Sequence, residues 1–326
     1  MNDRDIARQI YSEIDFEKIT DHPNILIAAR FWDRERYDAA KVFYRFMRYI
    51  DDLIDNHKAG HQTIAPAERE LFTAGVNSWL AAPSGSGDAD SETLLLRSTL
   101  ERFKLPLWPL EEFARSMIFD INNDGFATVE QFIDYSQGAT VAPASVFVHL
   151  CGLRDGGGGE YLLPQFDVRP AATPCALFSY LVHIIRDFQK DYHNNLNYFA
   201  ADMLERHSLT TDMLREMAFG KPVTDNFRRM IAGYMELAEV YRLQTMKVIE
   251  DISPLISYRS RLSLHIIFSL YHMVWERIDV AGGTFLQSEL EPTPADIRHR
   301  VGEVIDRFFC RESIINPFKK QTALAT

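Results

Sequence analysis

Apolar residues recur at three- and four-residue steps along most of this chain. Between 34 and 56 (RERYDAAKVFYRFMRYIDDLIDN), Ala40, Phe43, Phe46, Met47, Ile50 and Ile54 follow that rhythm. Such a stripe predicts an amphipathic helix with one buried face. The same period predicts helices over about 67–82, 91–104, 109–122, 128–153, 171–193, 223–251 and 258–280. No stretch alternates apolar and polar residues over a convincing strand length. The pattern therefore predicts an all-α protein.

Turn residues punctuate the pattern. APSGSGDADSE (82–92) reads as a solvated loop ending in an N-cap region. RDGGGGE (154–160) is the most flexible segment. Its glycines would suit a hinge or lid, and a plain interhelical linker is the simpler expectation. No Gly-Lys-Ser/Thr follows, so it is not a phosphate loop. GKPVT (220–224) and GG (282–283) are further breaks. No repeat and no long linker divides the chain. One large helical domain over 1–326 is expected, with 1–20 and 312–326 as peripheral ends.

The 326 residues are 46% hydrophobic and 12% aromatic, enough for a sizeable core. Asp plus Glu number 46 against 35 Lys plus Arg, a formal charge of −11. That balance argues against a nucleic-acid groove, which needs clustered cations. It leaves room for a phosphorylated substrate, because bound metal ions invert local charge. Cys151, Cys175 and Cys310 have no metal or redox spacing and read as reduced thiols. The N-terminus lacks a signal-peptide core, and apolar runs such as LHIIFSLYHMVW fall short of the ~20 residues of a membrane span. A soluble, cytoplasmic protein is the expectation.

Two acidic clusters carry the candidate chemistry. In Arg48-Tyr49-Ile50-Asp51-Asp52-Leu53-Ile54-Asp55, Asp51 and Asp55 lie one helical turn apart on one face. Asp52 is close to Asp55, and Arg48 precedes the group by a turn. Arg186-Asp187-Phe188-Gln189-Lys190-Asp191 repeats the spacing after an almost wholly apolar run from Ala176 to Ile185. One such pair is commonly a solvated face. Two pairs on strongly apolar helices, each with an Arg, suggest cations that offset the repulsion. Mg²⁺ takes hard oxygen ligands and bridges carboxylates to substrate phosphates. It would neutralise a diphosphate leaving group, with Arg48 and Arg186 adding donors.

These motifs resemble the squalene and phytoene synthase family of head-to-head prenyl transferases. YRFMRYIDDLID (44–55) looks like the family's first aspartate helix, and IIRDFQKD (184–191) is similar to its second. DINNDGFATVEQFIDYSQGATVAPASVFVHLCG (120–152) resembles the central helix pair, where Asp120 and Tyr135 match positions lining the active site. HPNILIAARFW (22–32) is similar to an opening in the bacterial squalene and hydroxysqualene branch. SRLSLHIIFSLYHMVWERI (260–278) looks like the last core helix, with Tyr271 at its usual tyrosine.

The resemblance implies an all-α isoprenoid synthase fold, one large helical bundle around a central cavity. It implies condensation of two prenyl diphosphates, farnesyl or geranylgeranyl, to squalene, presqualene diphosphate or hydroxysqualene, or phytoene. Asp51, Asp52, Asp55, Asp187 and Asp191 would be Mg²⁺ ligands. Arg48 and Arg186 would contact diphosphate. Tyr135, Asp120 and Tyr271 would border the reacting atoms. His183 and Tyr198 would contact substrate. The aromatic stripe of Phe43, Tyr44 and Phe46 reads partly as core packing, but Phe43 and Phe46 would also suit the lining of a prenyl tunnel; Tyr180 carries the same two readings. NADPH would be needed only for a reduced product, and no nucleotide fingerprint is visible. A greasy product would bring the protein to a membrane surface. The oligomeric state stays open.

The chain departs from the family at His183, where Asn is usual, at Tyr180 for Gln, at Leu196 for Arg and at Ala29 for a small hydroxyl residue. GGTFLQSELE (282–291) shows no obvious counterpart of a basic residue beyond the last core helix. A member running one half-reaction, a catalytically reduced assembly or scaffold protein, and a single-substrate terpene cyclase are the alternatives. His149, His265 and His272 read as core or cavity histidines, and Trp32, Trp79 and Trp108 as packing residues.

Overall fold

The computed structural model describes residues 2–21, 23–61, 63–85 and 90–315, with the side chains of 19–21 and 311–315 excepted. His22 of the N-terminal opening, 62, 86–89 of the expected loop, and 316–326 of the expected peripheral end lie outside the described residues.

The predicted helices are present. The first aspartate helix, Arg34–His61, buries Ala40, Phe43, Met47, Ile50 and Ile54. It continues five residues past the expected end because Lys58 prolongs the buried stripe at the next four-residue step. Pro66–Ala81, Ser91–Arg102, Trp108–Asn122, Asp225–Ile252 and Tyr258–Arg277 follow the expected ranges closely. Side-chain caps start several of them: Asp90, Thr224 and Ser257 each accept a backbone N–H of the first turn.

Two expected helices are interrupted, and both interruptions lie beside the chamber described below. The expected helix 128–153 is Val129–Ser136, a π-helical turn Gln137–Val141, and Ala142–Gly152. Gly138 explains the close packing there. A Cβ on it would fall 2.0 Å from the Glu112 carbonyl oxygen, so only glycine lets this turn touch Trp108–Asn122. The expected helix 171–193 is Val168–Arg186 followed by Phe188–His193, with Asp187 at the break. The amide of Asp191 still bonds to the Asp187 carbonyl at 2.7 Å, so the two aspartates remain one turn apart.

The glycine segment is not a linker. Arg154–Gly157 and Glu160–Leu162 pair as a small antiparallel hairpin. Gly157, Gly158 and Gly159 take positive φ values of 83°, 60° and 84°, which side-chain-bearing residues avoid. Among the described residues this is the only sheet, and the protein is otherwise all-α.

Some helices are missing from the periodicity reading. Asp3–Glu13 buries Ala7, and Phe16 just after it is fully buried, so part of the expected peripheral N-terminus belongs to the core. Pro294–Ile315 packs Ile297, Val301, Ile305 and Phe308 against Tyr258–Arg277. At the centre, Val168–Arg186 lies against Asp225–Ile252 over the most extensive helix contact of the bundle. Val168–Arg186 is long and apolar enough, by length and composition, to cross a membrane. Here Leu177, Phe178, Leu181, Val182 and Ile185 fill the middle of the bundle instead. Two large apolar clusters form the core, and Phe268 and Tyr271 touch both.

Candidate active site

A chamber of about 940 Å³ lies between Val168–Arg186, the first aspartate helix and the π-helical turn. An inner arm of about 210 Å³ extends from it. The two share Ile25, Tyr44, Arg48, Ala139, Pro143 and Phe147 as lining residues, so they are continuous. Phe43, Met47, Phe113 and Leu150 make the inner arm apolar. On Val168–Arg186, Ala171, Cys175 and Ser179 succeed one another at four-residue steps along the lining face. Their small side chains leave the space empty. His183 is the next residue in that series. Polar groups then gather at one end: Arg48, Asp52, His183, Arg186 and Lys190.

The first aspartate helix supplies one side of this end. Arg48 binds Asp51 at 2.8 Å and Asp52 at 2.5 Å. Burial and the neighbouring Asp55 push Asp51 up to about 7, against the pull of Arg48. Burial also raises Asp55, opposed by Arg48 and Lys58. Below them, the Tyr135 hydroxyl donates to Asp120 at 2.6 Å. Burial raises Asp120 to about 7 although Lys58 and this hydrogen bond favour its charged form. Lys58 Nζ stands 4.0 Å from Asp120 and donates to the Asn123 carbonyl at 2.9 Å.

The second aspartate helix is organised differently. Arg186 clasps Asp187 through Nε and Nη2 at 2.8 and 2.6 Å. Burial would raise Asp187, but these bonds outweigh it and hold the carboxyl below its ordinary value. Asp191 has no such partner. Burial and Asp187 push it up to about 8, and Asp55 adds repulsion from the opposite helix. The two pairs therefore sit within electrostatic reach of each other. His183 is pushed down to about 3 by burial and by Arg186, which keeps its ring neutral. Its Nε2 is buried and has no hydrogen-bond partner among the described residues, while its ring meets Tyr271 edge-on at 5.2 Å.

The structure brings most of the sequence candidates together. Phe43 and Tyr44 line the chamber, as does Tyr271. Tyr180 and Tyr198 form an aromatic cluster with Tyr135 beside Asp120. Phe46 is not among the lining residues; it turns outward and stacks on Trp79 at 4.6 Å. The reason is helical phase: Phe43 and Met47 take the inner face, and Phe46 falls beside it. Ser145 donates its hydroxyl to the Val141 carbonyl, and His149 Nε2 meets the Phe103 carbonyl at 2.9 Å, so both serve packing. Lys58, Lys190, Cys175 and Ser179 escaped the sequence reading. Lys58 had a signal: Ile50, Ile54 and Lys58 follow at four-residue steps, which puts a cation on a core stripe.

Among the described residues, no group of three His, Cys, Asp or Glu side chains is placed to hold a metal ion by protein ligands alone. Hard carboxylates with depressed acidity, set in facing pairs, nonetheless suit Mg²⁺ in the mode where substrate phosphates and water complete the shell. A cation there would relieve the repulsion that raises Asp51 and Asp191.

The known proteins similar to this chain agree with the geometry. The squalene/phytoene synthase family profile matches residues 22–296. The chain is 23% identical over 246 residues to a chloroplastic phytoene synthase of Narcissus pseudonarcissus, covering 75% of this chain and 54% of that protein. It is 27% identical over 174 residues to a hydroxysqualene synthase of Sinorhizobium fredii, covering 53% of each. It thus spans about half the length of the curated relatives it matches. The crystal structure of a dehydrosqualene synthase in complex with ligand superimposes with a TM-score of 0.67 at 15% identity, over 95% of this chain and 100% of that one. That likeness shows the fold, the helical isoprenoid synthase bundle. With a profile match across most of its length, the chain belongs to the squalene/phytoene synthase family.

Proposed function

We propose that the protein condenses two prenyl diphosphates head to head, carbon 1 to carbon 1, with Mg²⁺ and with release of diphosphate. The observation that carries this reading is that the two carboxylate pairs, within electrostatic reach of each other through Asp55 and Asp191, adjoin an apolar chamber whose lining includes Arg48, Asp51, Asp52, Arg186 and Lys190. Asp51, Asp52, Asp55 and Asp191 are the residues that would hold the metal; Asp187, which the resemblance groups with them, has both oxygens bonded to Arg186. Bound Mg²⁺ would neutralise the diphosphate as its allylic C–O bond breaks and the electron pair leaves with oxygen.

The remaining work falls to the chain itself. Arg48 and Arg186 are placed to donate to phosphate oxygens. The apolar walls exclude water from the allylic cation left on carbon 1. Tyr44 and Phe43 line the space with aromatic rings, whose faces would stabilise positive charge. Tyr135 and Asp120, joined at 2.6 Å, form a buried proton-holding pair beside Tyr180 and Tyr198. The main chamber and its inner arm provide space for two chains, which favours condensation over cyclisation of one substrate. Farnesyl and geranylgeranyl diphosphates are the candidate substrates. Squalene, presqualene diphosphate or hydroxysqualene, and phytoene are the candidate products.

The test is incubation with each diphosphate and Mg²⁺, reading diphosphate release and product mass. A doubled carbon skeleton is expected; no release from either substrate would sink the proposal. The clasped Asp187 and the imidazole at 183 favour one second reading, a catalytically reduced scaffold. Such a protein would gain no thermal stability from Mg²⁺ plus a diphosphate analogue, whereas an enzyme would.

A further inference from the structure

The second aspartate helix and its continuation bring three nitrogen-bearing side chains to the polar end of the chamber: His183, Arg186 and Lys190. Their spacing of three and four residues sets them along one face. Nε2 of His183 is shut off from solvent and has no hydrogen-bond partner among the described residues. Buried polar atoms are nearly always paired, so an orphan on a residue that lines a cavity leaves a bond for a ligand to make. Tyr271 holds the ring by its edge and offers the nitrogen no polar partner.

Arg186 uses two of its N–H groups on Asp187, and a guanidinium carries five. Lys190 makes no ion pair among the described residues. The stripe therefore retains unused donors from all three residues. Imidazole nitrogen, by contrast, suits Mg²⁺ poorly, since that ion prefers carboxylate, carbonyl and water oxygens. Asp187, with both oxygens bonded to Arg186, has less to offer an ion than Asp51 does.

We propose that the second aspartate helix grips a diphosphate directly, through N–H donors of His183, Arg186 and Lys190, with no metal ion between them. The ligand class is a diphosphate, and the inference rests on reading the chamber as a diphosphate site. Metal then gathers toward the first aspartate helix, with Asp191 within electrostatic reach of Asp55 on the other side. His183 is a positioning residue in this arrangement: its N–H fixes the phosphate group relative to the apolar walls.

The experiment is calorimetric titration of inorganic diphosphate into the full chain in EDTA, so that no divalent ion is present. The wild type is expected to bind. His183→Leu should weaken binding about tenfold, the worth of one hydrogen bond to a charged acceptor. His183→Gln, which keeps an N–H, should restore most of it. Lys190→Met should weaken binding and flatten its salt dependence. Thermal melts accompany each variant. Lost binding at unchanged melting temperature marks loss of the donor, and if the leucine variant does not fold, the exposed Lys190 carries the same test. Binding that appears only with Mg²⁺, or a leucine variant that binds like the wild type in EDTA, would overturn the proposal. Metal-free binding without prenyl transfer would overturn the proposed reaction alone. Prenyl transfer without metal-free binding would overturn this inference alone.

Discussion

The two aspartate helices carry the same spacing and do different things with it. On Arg34–His61, Arg48 reaches two carboxylates from a partly exposed position, and Asp51 and Asp55 stay strained by burial and by each other. On Val168–Arg186, the arginine is more buried and locks onto the adjacent Asp187. One aspartate there is satisfied, and only Asp191 keeps a strongly raised value. The difference teaches that carboxylate spacing does not by itself set metal affinity. What the neighbouring arginine does decides how much negative charge remains for an ion.

The largest effect that would sharpen this contrast is expected from Asp51→Asn. Turnover with Mg²⁺ should fall at least about 100-fold, beyond the usual cost of disturbing a metal site's surroundings. Circular dichroism and melting temperature should stay near wild type. An active variant would remove the metal role from the first helix.

Asp187→Asn should behave otherwise. It leaves Arg186 in a poorly solvated place with a weaker partner, and stability should drop by about 2 kcal/mol. Activity should fall by about tenfold, less than for Asp51→Asn, because Asp187 acts mainly through Arg186. Chemical denaturation and steady-state kinetics check the two halves. Equal activity losses in the two variants would erase the asymmetry.

A smaller effect concerns pH. Asp51 and Asp191 sit near 7 and 8, well above the ordinary carboxylate value of 3.8. Their folded values are raised, so the stability they contribute is full below about pH 4 and is lost as pH rises through 7 to 8. His183 and His149 have lowered values, so they destabilise only below about pH 6.5, where the unfolded chain takes up protons. The melting temperature of the metal-free protein should therefore fall between about pH 6.5 and 8.5. Mg²⁺ with diphosphate should reverse the fall and release protons on binding. A flat profile would contradict the raised carboxylates.

The smallest effect should come from Tyr135→Phe. Asp120 loses the Tyr135 hydroxyl donor while Lys58 remains 4.0 Å away. A stability loss of about 1 kcal/mol is expected from denaturant titration. A gain in stability would show that Asp120 is protonated and better without the phenol.

The long helices were legible because a buried stripe at helical period is a local property. Phe43, Met47, Ile50 and Ile54 announce it without reference to the rest of the chain. The carboxylate pairs were legible for the same reason. Other features were not. The π-helical turn at Gln137–Val141 exists because Gly138 touches the Glu112 carbonyl across a helix interface, and nothing near 138 in sequence reveals that partner. The glycine run became a hairpin because consecutive positive φ angles turn the chain back on itself. Phe46 read as a tunnel residue because its own apolar character matched Phe43, and only the packing of Trp79 showed which way it faces.

By itself, then, the sequence determined the helical class, the order of the main helices and the existence of two aspartate pairs at one-turn spacing. These depend on residues three and four positions apart, and local steric and hydrophobic preferences act at that range. The tertiary structure alone decided that Asp55 and Asp191 come within electrostatic reach of each other, that Asp187 is spent on Arg186, and that His183 Nε2 has no partner among the described residues. Each of those depends on burial and on groups brought from distant segments, and electrostatic strength inside a protein is set by that surrounding medium and not by spacing along the chain.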